Sequence, residues 1–329
     1  MSQAPTGVTD RPPEVTLEAI HAAARAIEGV ALRTPLVEAG SLGSRLGVPV
    51  RLKCEQLQPV GAFKIRGAYA ALCRIPEARR QSGVITYSSG NHGQAVAYAA
   101  RALGVPAVVV MPQRAPAIKV AGVRRLGGEV VIAGNSTAER LEKARIIAEQ
   151  RGLTMLPPYE SLDVIAGQGT CGLEILEEWP AVETIIVPVG GGGLLAGISA
   201  AVAALKPGVR VIGVEPVGAP KLARALEAGR PVQLDATDSI ADGLLPLAIG
   251  RLPFAVLAPA LPESVLLTED EIAAGVRYLY RELDLTAEPS GAVTTAALLS
   301  GKVTPTGPTV AILSGGNVDP DLLQSLVGS

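Results

Sequence analysis

The stretch 184-TIIVPVGGGGLLAGISAAVAAL-205 joins an apolar strand to a helix through four consecutive glycines. We interpret Thr184 to Val189 as the strand and Leu194 to Leu205 as the helix, with Gly190 to Gly193 between them. Glycines at such a junction let the backbone approach an anion closely, and the N–H groups at the start of the helix bind it. A tight structural turn is the alternative, but it would rarely use four glycines. The segment predicts an α/β fold with an anion site.

Strands and helices alternate on both sides of this loop. Before it, the strand patterns Val84 to Tyr87, Ala107 to Met111 and Glu129 to Ala133 precede, in that order, the helical stretches Gln94 to Leu103, Ala117 to Leu126 and Ala138 to Gln150. After it, Arg210 to Val214 and Val310 to Leu313 are further short strands. Alternation of apolar strands with helices indicates parallel sheets that are covered by helices on both faces.

The two runs of alternation predict two lobes, each built on an open twisted parallel sheet. We assign residues 1–60 and 157–329 to a large lobe and residues 61–156 to a small one. These boundaries are approximate, because neither a Ser/Gly linker nor a block of charge marks them.

Composition excludes several classes of protein. The 29 basic and 31 acidic side chains give a net charge of -2, and aromatic residues make up 3% of the chain, so nucleic acid is not an expected partner. Cys54, Cys73 and Cys171 lack metal-binding spacing, and with only His21 and His92 as histidines a multi-histidine metal site is excluded. No apolar run approaches the roughly 20 residues of a membrane-spanning helix. We expect a cytoplasmic protein with free thiols and no membrane partner.

The glycine loop alone leaves the identity of the anion open. Gly191-x-Gly193-x-x-Ala196 fits the dinucleotide fingerprint, and Glu215 ends the next strand, where a ribose-binding acid would lie. A nicotinamide enzyme is therefore a rival interpretation of this segment.

Three other segments carry residues that could do chemistry. Lys64, in 61-GAFKIRGA-68, is framed by apolar residues and glycines, so it is either a partly desolvated nucleophile or a solvent-facing lysine. The segment 87-YSSGNHGQ-94 follows a strand and could bind a carboxylate or cap a helix. By itself 314-SGGN-317 is a turn, and Glu288 before Pro289 could be a helix-start acid.

Together these segments resemble the threonine dehydratase and serine racemase branch of the fold type II, or tryptophan-synthase-β-like, pyridoxal-phosphate enzymes. The resemblance covers the chain from about Ile27 to Asn317. It is carried by five motifs in one order, namely 61-GAFKIRGA-68, 88-SSGNHGQ-94, 165-IAGQGT-170, 188-PVGGGG-193 and 314-SGGN-317. Five ordered motifs displace the dinucleotide interpretation.

The resemblance implies pyridoxal 5'-phosphate as the cofactor of the large lobe. Lys64 would hold it covalently and, once released by substrate, act as the base. Ser314 would hydrogen-bond the pyridine nitrogen, and a neutral hydroxyl there suits a β-elimination. The cofactor contacts that the resemblance implies are those of Phe63, Lys64, Asn91, Gly190, Gly191, Gly192, Gly193, Leu194, Gly243, Glu288 and Ser314.

The resemblance also implies an amino-acid substrate. Its carboxylate would be held by Ser88, Gly90, Asn91 and His92, and Ser89 matches the hydroxyl that moves a proton on the opposite ring face in the racemases. We expect a homodimeric L-threonine/L-serine ammonia-lyase. Serine racemase, an ammonia-lyase for 3-hydroxyaspartate or a β-aryl serine, and a non-catalytic ligand-binding module are the alternatives.

Two departures from the family pattern concern polar groups. Ala62 replaces the usual serine before Phe-Lys. Related members bind a divalent cation through a glutamate, a backbone carbonyl and an aspartate. Glu215 and Ala219 match the first two ligands, but Lys221 replaces the third, and its ammonium would repel a cation. We expect no strong dependence on a divalent cation.

Overall fold

The computed structural model describes residues 13–88, 90–115 and 117–328, and only the backbone at Ile118. The α-helices are α1 (Leu17–Ile27), α2 (Gly40–Leu46), α3 (Lys64–Arg74), α4 (Glu77–Arg80), α5 (Asn91–Ala102), α6 (Ala117–Arg125), α7 (Thr137–Arg151), α8 (Leu162–Glu178), α9 (Gly193–Leu205), α10 (Lys221–Ala228), α11 (Arg251–Leu257), α12 (Glu269–Leu283), α13 (Pro289–Leu299) and α14 (Pro320–Val327). The strands are β1 (Leu36–Glu38), β2 (Val50–Cys54), β3 (Val84–Tyr87), β4 (Ala107–Met111), β5 (Glu129–Ile132), β6 (Thr154–Met155), β7 (Thr184–Pro188), β8 (Arg210–Pro216), β9 (Glu263–Leu267) and β10 (Thr309–Leu313).

Two separate sheets form the frame of the molecule, which confirms the predicted fold class. The larger sheet has the strand order β1-β2-β10-β7-β8-β9 and the smaller one β5-β4-β3-β6. All neighbouring strands are parallel except β1 and β2, which form an antiparallel edge that the sequence did not predict. The small sheet uses residues 84–155, inside the predicted small lobe. The lobe boundaries themselves stay a prediction.

The central strands are apolar because helices cover both of their faces. Every residue of β3, β4, β7 and β10 is buried. Two of the covering helices begin at capping boxes that the sequence shows directly. Ser136 caps α7 together with Glu139, and Thr268 caps α12 together with Glu271, each side chain accepting from the backbone N–H of its partner.

Close helix packing fixes the helix that carries Lys64. Gly67 in α3 lies against Gly167 in α8, and a Cβ built on Gly167 would stand 2.6 Å from the Gly67 Cα. No side chain larger than hydrogen fits this crossing without separating the two helices. The position of Lys64 at the first residue of α3 therefore depends on two glycines distant in sequence.

A buried ionic network also holds this helix. The Arg66 guanidinium donates to Glu55 at 2.8 Å and to Glu174 at 2.6 Å, and Lys53 Nζ donates to Glu174 at 2.6 Å. Burial alone would raise the pKa of Glu55. The charge and hydrogen bonds of Arg66, with the Lys53 charge and the Thr34 hydrogen bond, together outweigh it and leave the pKa below its usual value. Arg66, fully buried, thereby ties α3 to α8 and to Glu55, the residue that follows β2.

The helices of the described residues are too short or too polar for a membrane. None of those in residues 13–88, 90–115 and 117–328 combines the length and the apolarity needed to span a bilayer.

Candidate active site

A cleft of about 750 Å³ opens where strands of both sheets end. The loops that follow β3, β7 and β10 all line it, as expected for ligand sites at the carboxyl ends of parallel strands. The predicted site residues that line this cleft are Phe63, Lys64, Ser88, Gly90, Asn91, His92, Gly190, Gly191, Gly192, Gly193, Leu194, Gly243, Glu288 and Ser314. Ser89 lies outside the described residues. The structure brings these positions together; their individual roles stay predictions.

Lys64 presents its amine to the cleft. It is the first residue of α3, and its Nζ donates to the carbonyl oxygen of Pro158 at 3.1 Å. Burial lowers the pKa of Lys64 to about 8, because the cleft wall strips water from the ammonium. A sizeable neutral fraction at physiological pH makes this amine a competent nucleophile toward an aldehyde.

The glycine loop is a cradle into which side chains do not fit. A Cβ on Gly191 would overlap the ring of Tyr159, and one on Gly190 would stand 2.9 Å from the Gly243 carbonyl oxygen. Gly192 has φ +89°, a conformation that L side chains rarely adopt, and it leaves the start of α9 without a capping side chain. The first N–H groups of α9 are thereby available to an anion.

Asn91 and Glu288 form the polar floor of the cleft. Asn91 Nδ2 donates to Glu288 Oε1 at 2.6 Å, and Asn91 Oδ1 accepts from Asn317 Nδ2 at 2.9 Å. Burial, with Asp242 nearby, raises the pKa of Glu288 to about 7, against the opposing charge of Lys119. Glu288 precedes α13, as the sequence indicated, but its carboxylate turns to Asn91 and does not cap the helix.

The predicted carboxylate-binding segment lies at the start of α5. This helix begins at Asn91, three residues before the start we predicted at Gln94, so Asn91 and His92 belong to its first turn. The His92 ring is buried, and its Nε2 lies 3.2 Å from the Leu156 carbonyl oxygen. Burial, with Lys64 nearby, lowers the pKa of His92 to about 3, so the ring is neutral. The neutral His92 ring adds no positive charge to an anion site, and its part in holding the carboxylate stays a prediction.

Ser314 and Gly243 meet through a residue that the sequence did not single out. Ser314 Oγ lies 3.5 Å from the Ser290 carbonyl oxygen, and the Gly243 N–H donates to Ser290 Oγ at 2.9 Å. Ser290 lies in the first turn of α13, and nothing in its local sequence marks it as a cleft residue.

Cationic side chains on the small-sheet side were also missed. Arg114, Lys119 and Arg140 line the cleft, and Lys119 forms an ion pair across it with Asp242. Arg140 donates to the Asn135 carbonyl oxygen at 2.7 Å, and its Nε has no partner within the described part of the chain. These residues share no motif, so only the folded chain reveals that they converge.

Glu215, Ala219 and Lys221 lie outside the cleft. Lys221 Nζ donates to Glu215 Oε1 and to the Ala219 carbonyl oxygen, both at 3.0 Å. Within residues 13–88, 90–115 and 117–328, no group of three His, Cys, Asp or Glu side chains could hold a metal ion.

The cleft fits a phosphorylated aldehyde cofactor. It offers a partly neutral lysine amine for the aldehyde, a side-chain-free loop at a helix start for the phosphate, and the Ser314 hydroxyl for a ring nitrogen. These are the groups that pyridoxal phosphate needs.

Comparison with known proteins agrees with this geometry. The chain is 40% identical to the L-threonine ammonia-lyase of Thermotoga maritima, over 95% of this chain and 78% of that protein. It is 39% identical to an L-threo-3-hydroxyaspartate ammonia-lyase of a Pseudomonas species, over 93% of this chain and 96% of that protein. The structure of maize serine racemase superposes with a TM-score of 0.91 and 36% identity, covering 94% of this chain and 96% of that one.

The family described as pyridoxal-phosphate dependent enzymes matches residues 27–315, which include all five motifs up to Gly315. The match spans both sheets and every element that borders the cleft. The chain therefore belongs to the pyridoxal-phosphate dependent enzymes of fold type II.

Proposed function

We propose that this enzyme is an ammonia-lyase that converts L-threonine and L-serine to a 2-oxo acid and ammonia. The observation that carries the proposal is the Lys64 amine, whose pKa is lowered to about 8, in one cleft with the glycine loop and the Ser314 hydroxyl. The relatives named threonine ammonia-lyase, at 40% and 43% identity, support the same reaction.

Each end of the cofactor has a partner in the cleft. The backbone of Gly190 to Gly193 and the N–H groups that open α9 would hold the phosphate. Phe63 and Gly243 would flank the ring. When bound, pyridoxal phosphate draws electrons from the substrate Cα and so makes its proton acidic. Ser314 would offer the ring nitrogen a neutral hydroxyl in place of a carboxylate. That would moderate the electron withdrawal and favour loss of the β-substituent over reactions that need a stronger electron sink.

The proton step falls to Lys64. Its neutral Nζ accepts the Cα proton, and the electrons of the Cα–H bond form a double bond to Cβ. The β-hydroxyl leaves with the electron pair of its C–O bond, takes a proton from the Lys64 ammonium and is released as water. The substrate carboxylate would be held by Ser88, Gly90, Asn91 and His92 at the start of α5, which would keep the Cα–H bond toward Lys64. Addition of water then yields the 2-oxo acid and ammonia.

The decisive experiment supplies substrates to the purified holoenzyme and quantifies 2-oxo acid and ammonia. L-threonine, L-serine, D-serine, a β-aryl serine and threo-3-hydroxyaspartate are compared. We expect 2-oxobutanoate from threonine and pyruvate from serine. Lys64→Ala should lose turnover, whereas Lys143→Ala, which alters an exposed lysine on α7, should keep it. Turnover retained by Lys64→Ala, or no 2-oxo acid from either substrate, would refute the proposal.

A second candidate substrate is 3-hydroxyaspartate. Arg114, Lys119 and Arg140 give one side of the cleft an excess of positive charge, with Asp242 as the carboxylate paired to Lys119. A substrate with a second carboxylate would complement that charge. The 39% identical Pseudomonas relative with this activity supports the candidate. A kcat/KM for threo-3-hydroxyaspartate above that for threonine would favour it.

Racemisation is the remaining alternative, supported by serine racemases at 37% identity. It requires a second proton-transferring group on the opposite ring face, the role that the family resemblance gives Ser89. Chiral chromatography of serine after incubation separates the two outcomes, because elimination consumes serine and racemisation conserves it.

We further propose a cytoplasmic homodimer with the lobe boundaries given above. Cys54 and Cys171 are buried free thiols, which suits a reducing compartment, and the dimer follows the family resemblance. Light scattering of the purified protein tests the dimer, and limited proteolysis around residues 60 and 157 tests the boundaries.

A further inference from the structure

A buried ion pair stands behind the wall of the cleft. Glu215 ends β8 and Lys221 opens α10, and both side chains are 0% exposed. Lys221 Nζ donates to Glu215 Oε1 and to the Ala219 carbonyl oxygen, each at 3.0 Å. The same carboxylate accepts from the backbone N–H groups of Leu222 at 2.8 Å and Ala223 at 3.1 Å. The pair therefore closes the turn between β8 and α10.

The divalent cation implied by the family resemblance does not fit here. Its carboxylate and carbonyl ligands would be Glu215 and Ala219, and both already accept from the Lys221 ammonium. A hard cation needs oxygen ligands at about 2.0–2.6 Å and would meet a like charge at this spot. Charge balance is nevertheless kept, because one carboxylate with one ammonium is neutral, as two carboxylates with a divalent cation would be. A buried set of charges is tolerated only when it is balanced in this way.

The turn that this pair closes touches the segment that lines the cleft. Gly218 O accepts from the Asp238 N–H at 3.1 Å, and a Cβ on Gly218 would overlap the Asp238 carbonyl oxygen. Thr237 and the stretch from Asp242 to Leu247 line the cleft on either side of this contact. Movement of the turn would therefore shift the cleft wall.

We propose that Lys221 is a positioning residue whose ammonium serves as a built-in cation, taking the place of a divalent metal and holding residues 216–220 against the wall formed by residues 236–247. Because the charge is covalently attached, it cannot be removed by a chelator. The stability of the enzyme and the shape of its cleft are then independent of divalent cations.

The first test uses the unmodified holoenzyme. Overnight dialysis against EDTA, followed by addition of Mg²⁺ or Ca²⁺ to 5 mM, should leave the melting temperature unchanged and alter kcat/KM by less than about 1.5-fold. A several-fold activation by either ion that EDTA reverses would overturn the proposal.

The second test exchanges the built-in charge for a metal ligand. Lys221→Asp recreates two buried carboxylates, so it should melt at a lower temperature in EDTA and recover saturably with Ca²⁺ or Mg²⁺. Tb³⁺ luminescence should report one new binding site. Lys221→Met should be destabilised without recovery, and Lys143→Asp, at an exposed position, should show no response to these ions.

Three results of this second test would overturn the proposal. They are a Lys221→Met protein as stable and active as the parent, cation rescue of Lys221→Met equal to that of Lys221→Asp, and a Lys221→Asp protein that folds neither with nor without Ca²⁺. Melting temperature and Tb³⁺ binding do not depend on the substrate. Failure here is thus distinguishable from failure of the proposed ammonia-lyase activity.

Discussion

Asn91 Nδ2 and Glu288 Oε1 lie 2.6 Å apart and join the two halves of the cleft floor. Asn91 begins α5, beside the small sheet, whereas Glu288 immediately precedes α13, which packs on the large sheet. Because burial raises the pKa of Glu288 to about 7, the carboxyl group at this contact gains or loses its charge near neutral pH. The charge of the polar floor is therefore sensitive to pH around pH 7.

Replacing Glu288 by Gln should flatten part of the pH dependence of stability. The ordinary pKa of a glutamate is 4.5, and that of Glu288 in the folded protein is about 7. Between these two pH values the folded protein keeps a proton on Glu288 that the unfolded chain has released. The contribution of Glu288 to the free energy of unfolding is therefore fully present below pH 4.5. It falls by up to about 3 kcal/mol as the pH rises to 7.

Urea unfolding of the apoenzyme from pH 4.5 to 8 measures this effect. The stability of Glu288→Gln relative to the parent should increase with pH across the window. Glu227→Gln, at an exposed position, is the control and should show a constant difference. A constant difference for Glu288→Gln as well would contradict the raised pKa.

The glycine loop should tolerate no side chain at its second position. In Gly191→Ala the new Cβ overlaps the Tyr159 ring, so either the ring or the loop must shift. We expect the dissociation constant for pyridoxal phosphate to rise at least about tenfold, since the donors at the start of α9 lose their alignment. Equilibrium dialysis of the cofactor measures this change.

The double variant Gly191→Ala/Tyr159→Ala tests whether steric overlap with the Tyr159 ring causes the loss of affinity for pyridoxal phosphate. Removing the ring should restore part of the affinity. Gly208→Ala, where a Cβ meets no atom within 4 Å, should bind the cofactor as the parent does. No improvement in the double variant would show that the Tyr159 ring is not what constrains the loop.

Arg66→Met should destabilise the fold far more than the loss of a surface ion pair. It leaves the fully buried Glu55 and the nearly buried Glu174 without their shared guanidinium, and breaking a buried pair costs about 3–5 kcal/mol. Chemical denaturation measures the loss. Arg33→Met, which removes a pair to Glu177 from an arginine that is 52% exposed, should cost less than about 1 kcal/mol.

Adding Glu55→Gln to Arg66→Met should recover part of that stability, because one stranded charge is removed. A double variant less stable than the sum of the two single changes would contradict the electrostatic explanation.

Regular elements with strong patterns could be predicted from the sequence. The predicted helix Ala138 to Gln150 is observed as Thr137–Arg151, because its capping box and helical spacing are local signals. The edge strand Leu36–Glu38 was missed, since three residues are too few to show an alternating pattern. Its antiparallel pairing with β2 is fixed by tertiary packing that no local pattern records.

The residues of the candidate site likewise fall into those that a local sequence pattern reveals and those that only the fold brings to the cleft. Its backbone elements, the glycine loop and the lysine motif, are contiguous and therefore visible in the sequence. Lys119 and Arg140 reach the cleft from separate elements, and only the assembled fold places them there. The carboxylate of Glu288 could be noted beside Pro289, but its hydrogen bond to Asn91 spans almost two hundred residues.

The lowered pKa of Lys64 should govern how fast the apoenzyme takes up its cofactor. Only the neutral amine attacks the aldehyde of pyridoxal phosphate, and burial brings the pKa of Lys64 to about 8. The neutral fraction then rises about fivefold from pH 7 to 8, less than twofold from pH 8 to 9, and little beyond. A lysine with an ordinary pKa would instead gain about tenfold per pH unit up to pH 10.

Stopped-flow absorbance after mixing apoenzyme with pyridoxal phosphate follows this uptake directly. Pyridoxal phosphate mixed with free N-acetyl-lysine provides the reference curve for an exposed amine under the same buffers. A plateau near pH 9 for the enzyme, with continued increase for the reference, is the expected pair of results. Parallel curves would show that the cleft does not desolvate Lys64, and the amine would then need a neighbouring base to become reactive.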